Sequence, residues 1–410
     1  MLLSLQVENF RSFRNQIDFS MEAGAKLRKK NNSNTFFHKN NRYLKSAVLF
    51  GGNANGKTNL MMALRLLRSL VLNPTNSDFQ PLVTDTFGNN SENTSFNICF
   101  IKYDITFNYI IEYNEVEIVF EQLIADNTTI LKRSYQDFIV IPEQLNPLKQ
   151  NIRKNQFLIF YAQNNNVQKV SQAYSWFAEN LIFVNADNVS PFGMEIFKNL
   201  LDENFKNRYI EFMRAADFNI SDVEVLPRKI SAPNFNFTIE NDRLENVSNE
   251  MVSKTLYEVY STHKSNENGN FKIDFSNEST GTQAFMVIAL FILINNENSG
   301  KVLLIDEFNR SFHFELATAL LDLINNEHQR NQFILTTHEL NLLDSGLRSD
   351  QIWFAEKNQD GETEIFSLFD FDDPKLTRSD FGYKKRYLEG RFGAKQIINM
   401  TSLLSSLGDK

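Results

Sequence analysis

The chain of 410 residues contains one cysteine, Cys99, so no disulfide can form within it. Cys99 lies in an alternating apolar run and reads as a core residue in a reducing compartment. No apolar stretch is long enough to span a bilayer, and the N-terminus has no signal-peptide pattern. A cytoplasmic protein with no membrane partner is therefore expected. A sustained heptad repeat is missing, which argues against a long coiled-coil arm. Internal repeats and low-complexity linkers are missing too. Basic charge is not in excess: the formal net charge is −8. That excludes an all-over nucleic-acid coat but leaves room for a local basic groove, so a nucleic-acid partner stays open. What is abundant is phenylalanine, with 38 residues, in a composition that is 42% hydrophobic and 22% charged. This is an ordinary globular composition with material for a large core. The length suits two or three domains, or one large domain with an insertion.

The most informative stretch runs from Ala47 to Thr58. An apolar strand enters a turn that fits G-x-x-x-x-G-K-[ST] at Gly51, Gly56, Lys57 and Thr58, and leaves on an apolar helix over 58–72. Glycines let backbone N–H groups wrap a polyphosphate, with Asn53 and Asn55 inside the same loop. The helix directs its positive dipole end at the same anion. Lys57 supplies a point charge for β- and γ-phosphates, and the Thr58 hydroxyl can ligate Mg²⁺. A nucleoside triphosphate, ATP, and Mg²⁺ are the ligands this chemistry implies.

Upstream, Leu2–Val7 and Gln16–Phe19 read as a hairpin around Asn9-Phe10-Arg11-Ser12-Phe13. Residues 24–46 are polar and basic and read as a solvated loop, with a patch for nucleic acid or a partner as the alternative. Downstream, 94–102, 105–113, 116–124 and 129–133 alternate with period 2, as in an antiparallel meander. Beyond about residue 150, the runs 157–163, 170–181 and 194–217 have helical spacing. Strand character returns at 223–227, 234–239 and 256–262.

The last third is dense in signals. A strand over 271–275 leads to Ser279-Thr280-Gly281-Thr282-Gln283 and a strongly apolar helix over 283–296. Hydroxyl residues and a glycine directly before a helix make an anion-binding N-terminus. Lys301–Ile305 is a buried strand ending in Asp306 and Glu307; a helix over 314–326 follows, and Gln332–Thr337 is a second buried strand ending in His338. Continuous apolar strands alternating with a helix imply a parallel α/β sheet, with its site at the strands' C-terminal ends. There Asp306 can hold Mg²⁺, Glu307 can polarise an attacking water, and His338 can meet the γ-phosphate or that water. Asp370, Asp372 and Asp373 read as a solvated acidic loop.

The order of phosphate loop, Ser-Thr-Gly-Thr-Gln, Leu-Leu-Ile-Asp-Glu and Thr-Thr-His resembles the ABC-type ATPase head. More closely it is similar to the OLD/RecF/SMC-related ATPases, typified by RloA and AbiL-type abortive-infection proteins and the Septu ATPase. The resemblance extends over nearly the whole chain, from Asn9–Phe13 to Tyr387–Gly393. It implies an ABC-ATPase head, with a mixed or parallel sheet carrying the phosphate loop, an antiparallel β meander and an inserted mainly helical subdomain. The expected boundaries are 1–124 for the N-terminal ATPase lobe, 125–270 for the insertion and 271–410 for the C-terminal lobe. It further implies a homodimer, or a higher homo-oligomer, that sandwiches ATP. Ser279 and Gly281 of one subunit would close on the γ-phosphate held by the phosphate loop of the other. Glu307 would be the catalytic base, with His338 as switch histidine and Asp306 as metal ligand. Gln80 would contact Mg²⁺ as a Q-loop glutamine, Arg11 would lie near the nucleotide, and Asn309 and Ser311 would form the D-loop. The signature is not Leu-Ser-Gly-Gly-Gln, unlike a transporter motor, and Ser311-Phe312-His313-Phe314 stands where the family has Ser-Leu-His-Pro.

Three functions follow as expectations. The first is an ATPase switch in antiphage defence that gates a separate effector, a nuclease or toxin. The second is a RecF/SMC-like DNA-repair or clamp ATPase. The third, a self-contained nuclease, would have to lie within 125–270, where no His/Cys/Asp cluster has ligand spacing.

Overall fold

The computed structural model describes all residues except 26, 185–190, 217, 241–242, 265–268, 295–299, 311, 372–381 and 394–410. In chain order, β1 (Leu2–Glu8) and β2 (Ile17–Ser20) form a hairpin. A single turn of helix, α1 (Asn31–Asn34), precedes a second hairpin, β3 (Thr35–His38) with β4 (Asn41–Leu44). Next come β5 (Ser46–Phe50) and α2 (Lys57–Leu72). Five strands follow: β6 (Thr94–Lys102), β7 (Ile105–Tyr113), β8 (Ile118–Ala125), β9 (Thr128–Ser134) and β10 (Asp137–Val140). Helices α3 (Leu158–Asn164) and α4 (Gln168–Ser175) lead to β11 (Leu181–Val184). After α5 (Glu203–Ala215) the paired strands β12 (Ile220–Glu240) and β13 (Arg243–His263) form a long hairpin, which β14 (Phe271–Asp274) extends. The remainder is α6 (Thr280–Leu293), β15 (Val302–Ile305), α7 (Phe314–Ile324), β16 (Gln332–Thr337), β17 (Ile352–Lys357), β18 (Thr363–Ser367) and α8 (Tyr383–Leu388).

Two sheets organise these elements into an α/β fold. The antiparallel one has the order β10-β9-β8-β7-β6-β1-β2. The other has the order β11-β15-β16-β5-β17-β18, parallel except for β18. β5 shows why its sequence is continuously apolar. Ala47 and Leu49 belong to one core and Val48 and Phe50 to the other, so both faces are covered. On the first side α2 buries Leu60, Ala63, Leu64, Leu67 and Val71, an i, i+3, i+4, i+7 stripe, against the antiparallel sheet. On the second side α6 is buried continuously from Ala284 to Ile292, and α7 packs into the same cluster. No helix among the described residues is long and apolar enough to cross a membrane.

Several local expectations are corrected. Residues 24–46 are not simply a solvated loop. They hold α1 and the β3–β4 hairpin, with Leu27, Tyr43 and Leu44 buried. Lys45 donates to the Asn326 carbonyl at 2.6 Å, and burial pushes its ammonium down to about 8. Leu181, expected to end a helix, begins β11, an edge strand of the parallel sheet. The segments 223–227, 234–239 and 256–262 are parts of two 21-residue strands. Within residues 125–270 lie α3, α4 and α5, together with β9 and β10 of the meander and β11 of the parallel sheet. Asp370 accepts from the Ser367 backbone N–H at 2.8 Å and caps a short turn; Asp372 and Asp373 lie outside the described residues.

Tyr109, Tyr113 and Tyr209 are buried, and burial raises each phenol above its ordinary value of 10.0. Folding therefore favours the neutral phenol. Its contribution is complete below pH 10, where the unfolded chain is neutral as well, and is lost as pH rises above that value. Alkaline titration should show phenolate absorbance rising in two stages, the second coincident with loss of circular dichroism. Ionisation of all twelve tyrosines in a chain that keeps its dichroism would contradict this.

Candidate nucleotide site

β5 delivers its C-terminal end between β16 and β17, and the loop 51–56 turns there into α2. Two glycines are enforced by close approach. A Cβ on Gly51 would lie 2.6 Å from the Ala355 carbonyl oxygen of β17. One on Gly56, whose φ is +87°, would lie 2.5 Å from Thr363 Oγ1 and 2.8 Å from Ser12 Oγ. Asn55 fastens the loop from its side chain, donating to the Ala355 carbonyl at 3.1 Å, while its own carbonyl accepts from Thr363 Oγ1 at 3.1 Å. Asn53 lies exposed in the same loop.

Lys57 begins α2, and its ammonium donates to the Gly51 and Gly52 carbonyls at 2.9 and 2.8 Å. Burial lowers its pKa from the ordinary lysine value, while the charges of Asp306 and Glu307 act in the opposite direction. Thr58, one residue on, donates to both Asp306 oxygens at 3.0 and 3.2 Å. The parallel pairing of β15 with β16 brings Asp306 beside Thr336, whose hydroxyl also donates to the carboxylate. The same Thr336 oxygen accepts the Glu307 backbone N–H at 2.8 Å. Glu307 adopts φ +48°, uncommon for a side-chain-bearing residue and held here by that bond and by the Arg310 N–H on its own carbonyl. Its carboxylate is exposed and pairs with Arg310 Nη1 at 3.2 Å. Thr337 donates to Asn309 Oδ1, and His338 follows, exposed, at the strand end. Ser311 lies outside the described residues.

Motif reading placed Arg11 near the nucleotide, and the structure sets it against α2. Its Nη1 donates to Asn59 Oδ1 at 3.3 Å and its Nε pairs with Asp85 at 2.5 Å. Motif reading missed the backing of the loop. Ser12 Oγ accepts from Asn59 Nδ2 at 2.6 Å, and the Ser12 carbonyl accepts the Thr363 N–H at 2.7 Å. The signal was present in the Asn9–Phe13 turn, but its partner lies on β18.

Two predicted groups stand apart from this cluster. Gln80 Oε1 accepts from the Asn76 N–H at 2.7 Å, so the side chain is engaged within its own loop. Ser279 caps α6, its Oγ accepting from the Thr282 N–H at 3.1 Å, and Gly281 lies in that helix's first turn. Among the described residues no hydrogen bond joins Gln80, Ser279 or Gly281 to the loop 51–58.

The donor set suits a nucleotide with Mg²⁺. Gly51 and Gly56 let the loop pack against β17, β18 and Ser12 without a side chain in the way, and the Lys57 ammonium sits on the loop's own carbonyls. Thr58 and Asp306 together offer one hydroxyl and one carboxylate, the small protein contribution that Mg²⁺ takes when phosphates and waters complete its octahedron. Thr58 and Asp306 would hold the ion, which would supply positive charge to offset that of the phosphates.

Solved structures similar to this chain include two SMC heads. An SMC head bound to the C-terminal winged-helix domain of ScpA has 11% identity and a TM-score of 0.46, over 89% of this chain and 97% of that one. The SMC head domain from Thermotoga maritima has 10% identity and a TM-score of 0.40, over 89% and 98%. No curated protein matches the chain. A family match spans residues 46–344, from β5 through the last residue of the turn after β16. It includes the phosphate loop, Ser279, Asp306, Glu307 and His338. The chain belongs to the family “AAA domain, putative AbiEii toxin, Type IV TA system”.

Proposed function

We propose that the protein is an ABC-type ATPase whose ATP-driven homodimerisation works as a switch in an antiphage, abortive-infection system, gating a separate effector such as a nuclease. The observation that carries this reading is the separation of the two half-sites. Lys57, Thr58, Asp306 and Glu307 converge on one end of the parallel sheet. Among the described residues, the N-terminus of α6, with Ser279 exposed, has no hydrogen bond to them. A second copy of the chain would bring that N-terminus to the γ-phosphate, and ATP would then join the subunits. The family's description, which names a “putative AbiEii toxin” and a “Type IV TA system”, supports the defence setting. The motif order supports kinship with RloA-, AbiL- and Septu-type ATPases. Joined and separated subunits are two states whose balance ATP can shift, and an effector that binds one of them better is gated by it.

In the assembled site the phosphates would lie on the loop N–H groups and on Lys57, and Glu307 would take the proton of the attacking water. Lys57→Ala tests the first half. Removing one partner of a buried charge contact costs about 2 kcal/mol or more, or roughly 30-fold in affinity. ATP affinity measured by calorimetry should fall by at least that factor. Unchanged affinity would remove the phosphate loop from the mechanism.

A further inference from the structure

The β12–β13 hairpin ends beside the turn that precedes α6. β14 pairs with the root of β13 in the register Tyr260↔Asp274, Ser261↔Ile273, Thr262↔Lys272 and His263↔Phe271. The chain then turns through residues 275–278 and reaches Ser279. Glu278, adjacent to Ser279, points its carboxylate back at the hairpin root. Its Oε1 meets His263 Nε2 at 2.6 Å and also accepts from the Ser261 hydroxyl. The Glu278 side chain is only 6% exposed and that of His263 15%. A carboxylate so enclosed is stable only with donors, and these two donors both stand on β13. His263 is itself stacked on Phe271, with ring centroids 5.6 Å apart. On the other side, Gln283 Nε2 reaches back from α6 to the carbonyls of Phe275, Ser276 and Glu278 at 2.9, 3.2 and 3.0 Å. The turn is thus tied at one end to the helix and at the other to the hairpin. Ser279 stands between the two ties.

We propose that Glu278 is a positioning residue for ATP hydrolysis: through His263 and Ser261 it fixes the Ser279–Gly281 segment to the root of the β12–β13 hairpin, so that the hairpin sets how well this segment meets the γ-phosphate. The inference rests on the composite-site reading above and adds to it a mechanical link. Segments that orient reacting groups tolerate little displacement, and a shift of about 1 Å can cost on the order of 100-fold in rate. A partner that moves the hairpin would act on hydrolysis by this route.

The test uses the full chain and three readouts: ATP affinity, ATP-dependent dimerisation by sedimentation, and steady-state kcat. Glu278→Ala should leave ATP affinity within about threefold, because the phosphate loop is untouched, while kcat falls about tenfold or more and the ATP-dependent dimer weakens. Glu278→Gln, which keeps an acceptor at Oε1, should recover part of the loss. A merely structural role would lower melting temperature and leave kcat per folded molecule unchanged, and that result overturns the proposal. If Glu278→Ala loses ATP binding altogether, Ser261→Ala decides, since it deletes only one donor. A fall in kcat of about threefold or more at constant affinity supports the link; wild-type kcat overturns it. A wild-type chain that stays monomeric in ATP would instead defeat the composite-site reading on which the link depends.

Discussion

Glu307→Gln is expected to lower ATP turnover about 100- to 1000-fold while leaving ATP affinity within about threefold. The two adjacent carboxylates have different surroundings. Asp306 accepts from Thr58 and Thr336, so its oxygens are committed to the corner that would hold Mg²⁺. Glu307 is fixed through its backbone, by Thr336 Oγ1 at its N–H and the Arg310 N–H at its carbonyl, and its carboxylate stands exposed with Arg310 as partner. An exposed ion pair of this kind contributes about 0–1 kcal/mol, so Arg310 does not lock the side chain. A carboxylate held in place by its main chain and restrained at its tip only by an exposed ion pair suits a general base, and the amide isostere fills the same volume without accepting a proton. With hydrolysis blocked and binding intact, the ATP-joined dimer should accumulate, visible by sedimentation. Asp306→Asn should behave differently, weakening Mg²⁺-dependent binding. Turnover within tenfold of wild type in Glu307→Gln would remove Glu307 as the base.

The parts of this site that were legible in the sequence are those whose chemistry is local. The phosphate loop is one run of eight residues, and the strand ending at Asp306-Glu307 carries its own apolar signature. The meander was legible too, because one face of β6–β9 packs on the first core and the alternation survives in the sequence. What was hidden depends on pairing across the chain. Ala355 and Thr363 back the loop only because β17 lies parallel beside β5 and β18 follows it, some 300 residues downstream. The β3–β4 hairpin was masked by its own charges, since Lys39, Arg42 and Lys45 surround the short apolar alternation of Phe36, Tyr43 and Leu44. β11 is four residues directly after a helix, and so short an apolar run cannot be told from a helix end by periodicity. Gln80 lies in a loop without period, where neighbouring residues carry no information about direction.

Glu121→Leu is expected to be the most destabilising single change away from the nucleotide site. Glu121 on β8 and Arg133 on β9 face each other in the strand register, and neither side chain has any exposure. The Glu121 carboxylate accepts from Arg133 Nε at 3.0 Å, from Tyr109 OH at 2.9 Å, and from the Leu158 and Ile159 backbone N–H groups at 2.8 and 2.9 Å. It therefore neutralises a buried guanidinium and also caps the N-terminus of α3, where a negative charge is favoured. Arg133 has a second anchor, donating to the Gln156 carbonyl at 2.5 Å. Removing Glu121 leaves a buried cation, a phenol and two N–H groups without their acceptor. Breaking a buried pair in this way costs about 3–5 kcal/mol, measured as the change in unfolding free energy from urea titration. Arg133→Met should cost less, because the remaining carboxylate keeps three donors and the helix dipole. The double substitution Glu121→Leu/Arg133→Met should be more stable than Glu121→Leu alone, since it removes the stranded charge and leaves only neutral donors unpaired. If Arg133→Met proves the worse of the two single changes, the carboxylate is held by the guanidinium and not by the helix terminus, and the cap on α3 is not what makes Glu121 necessary.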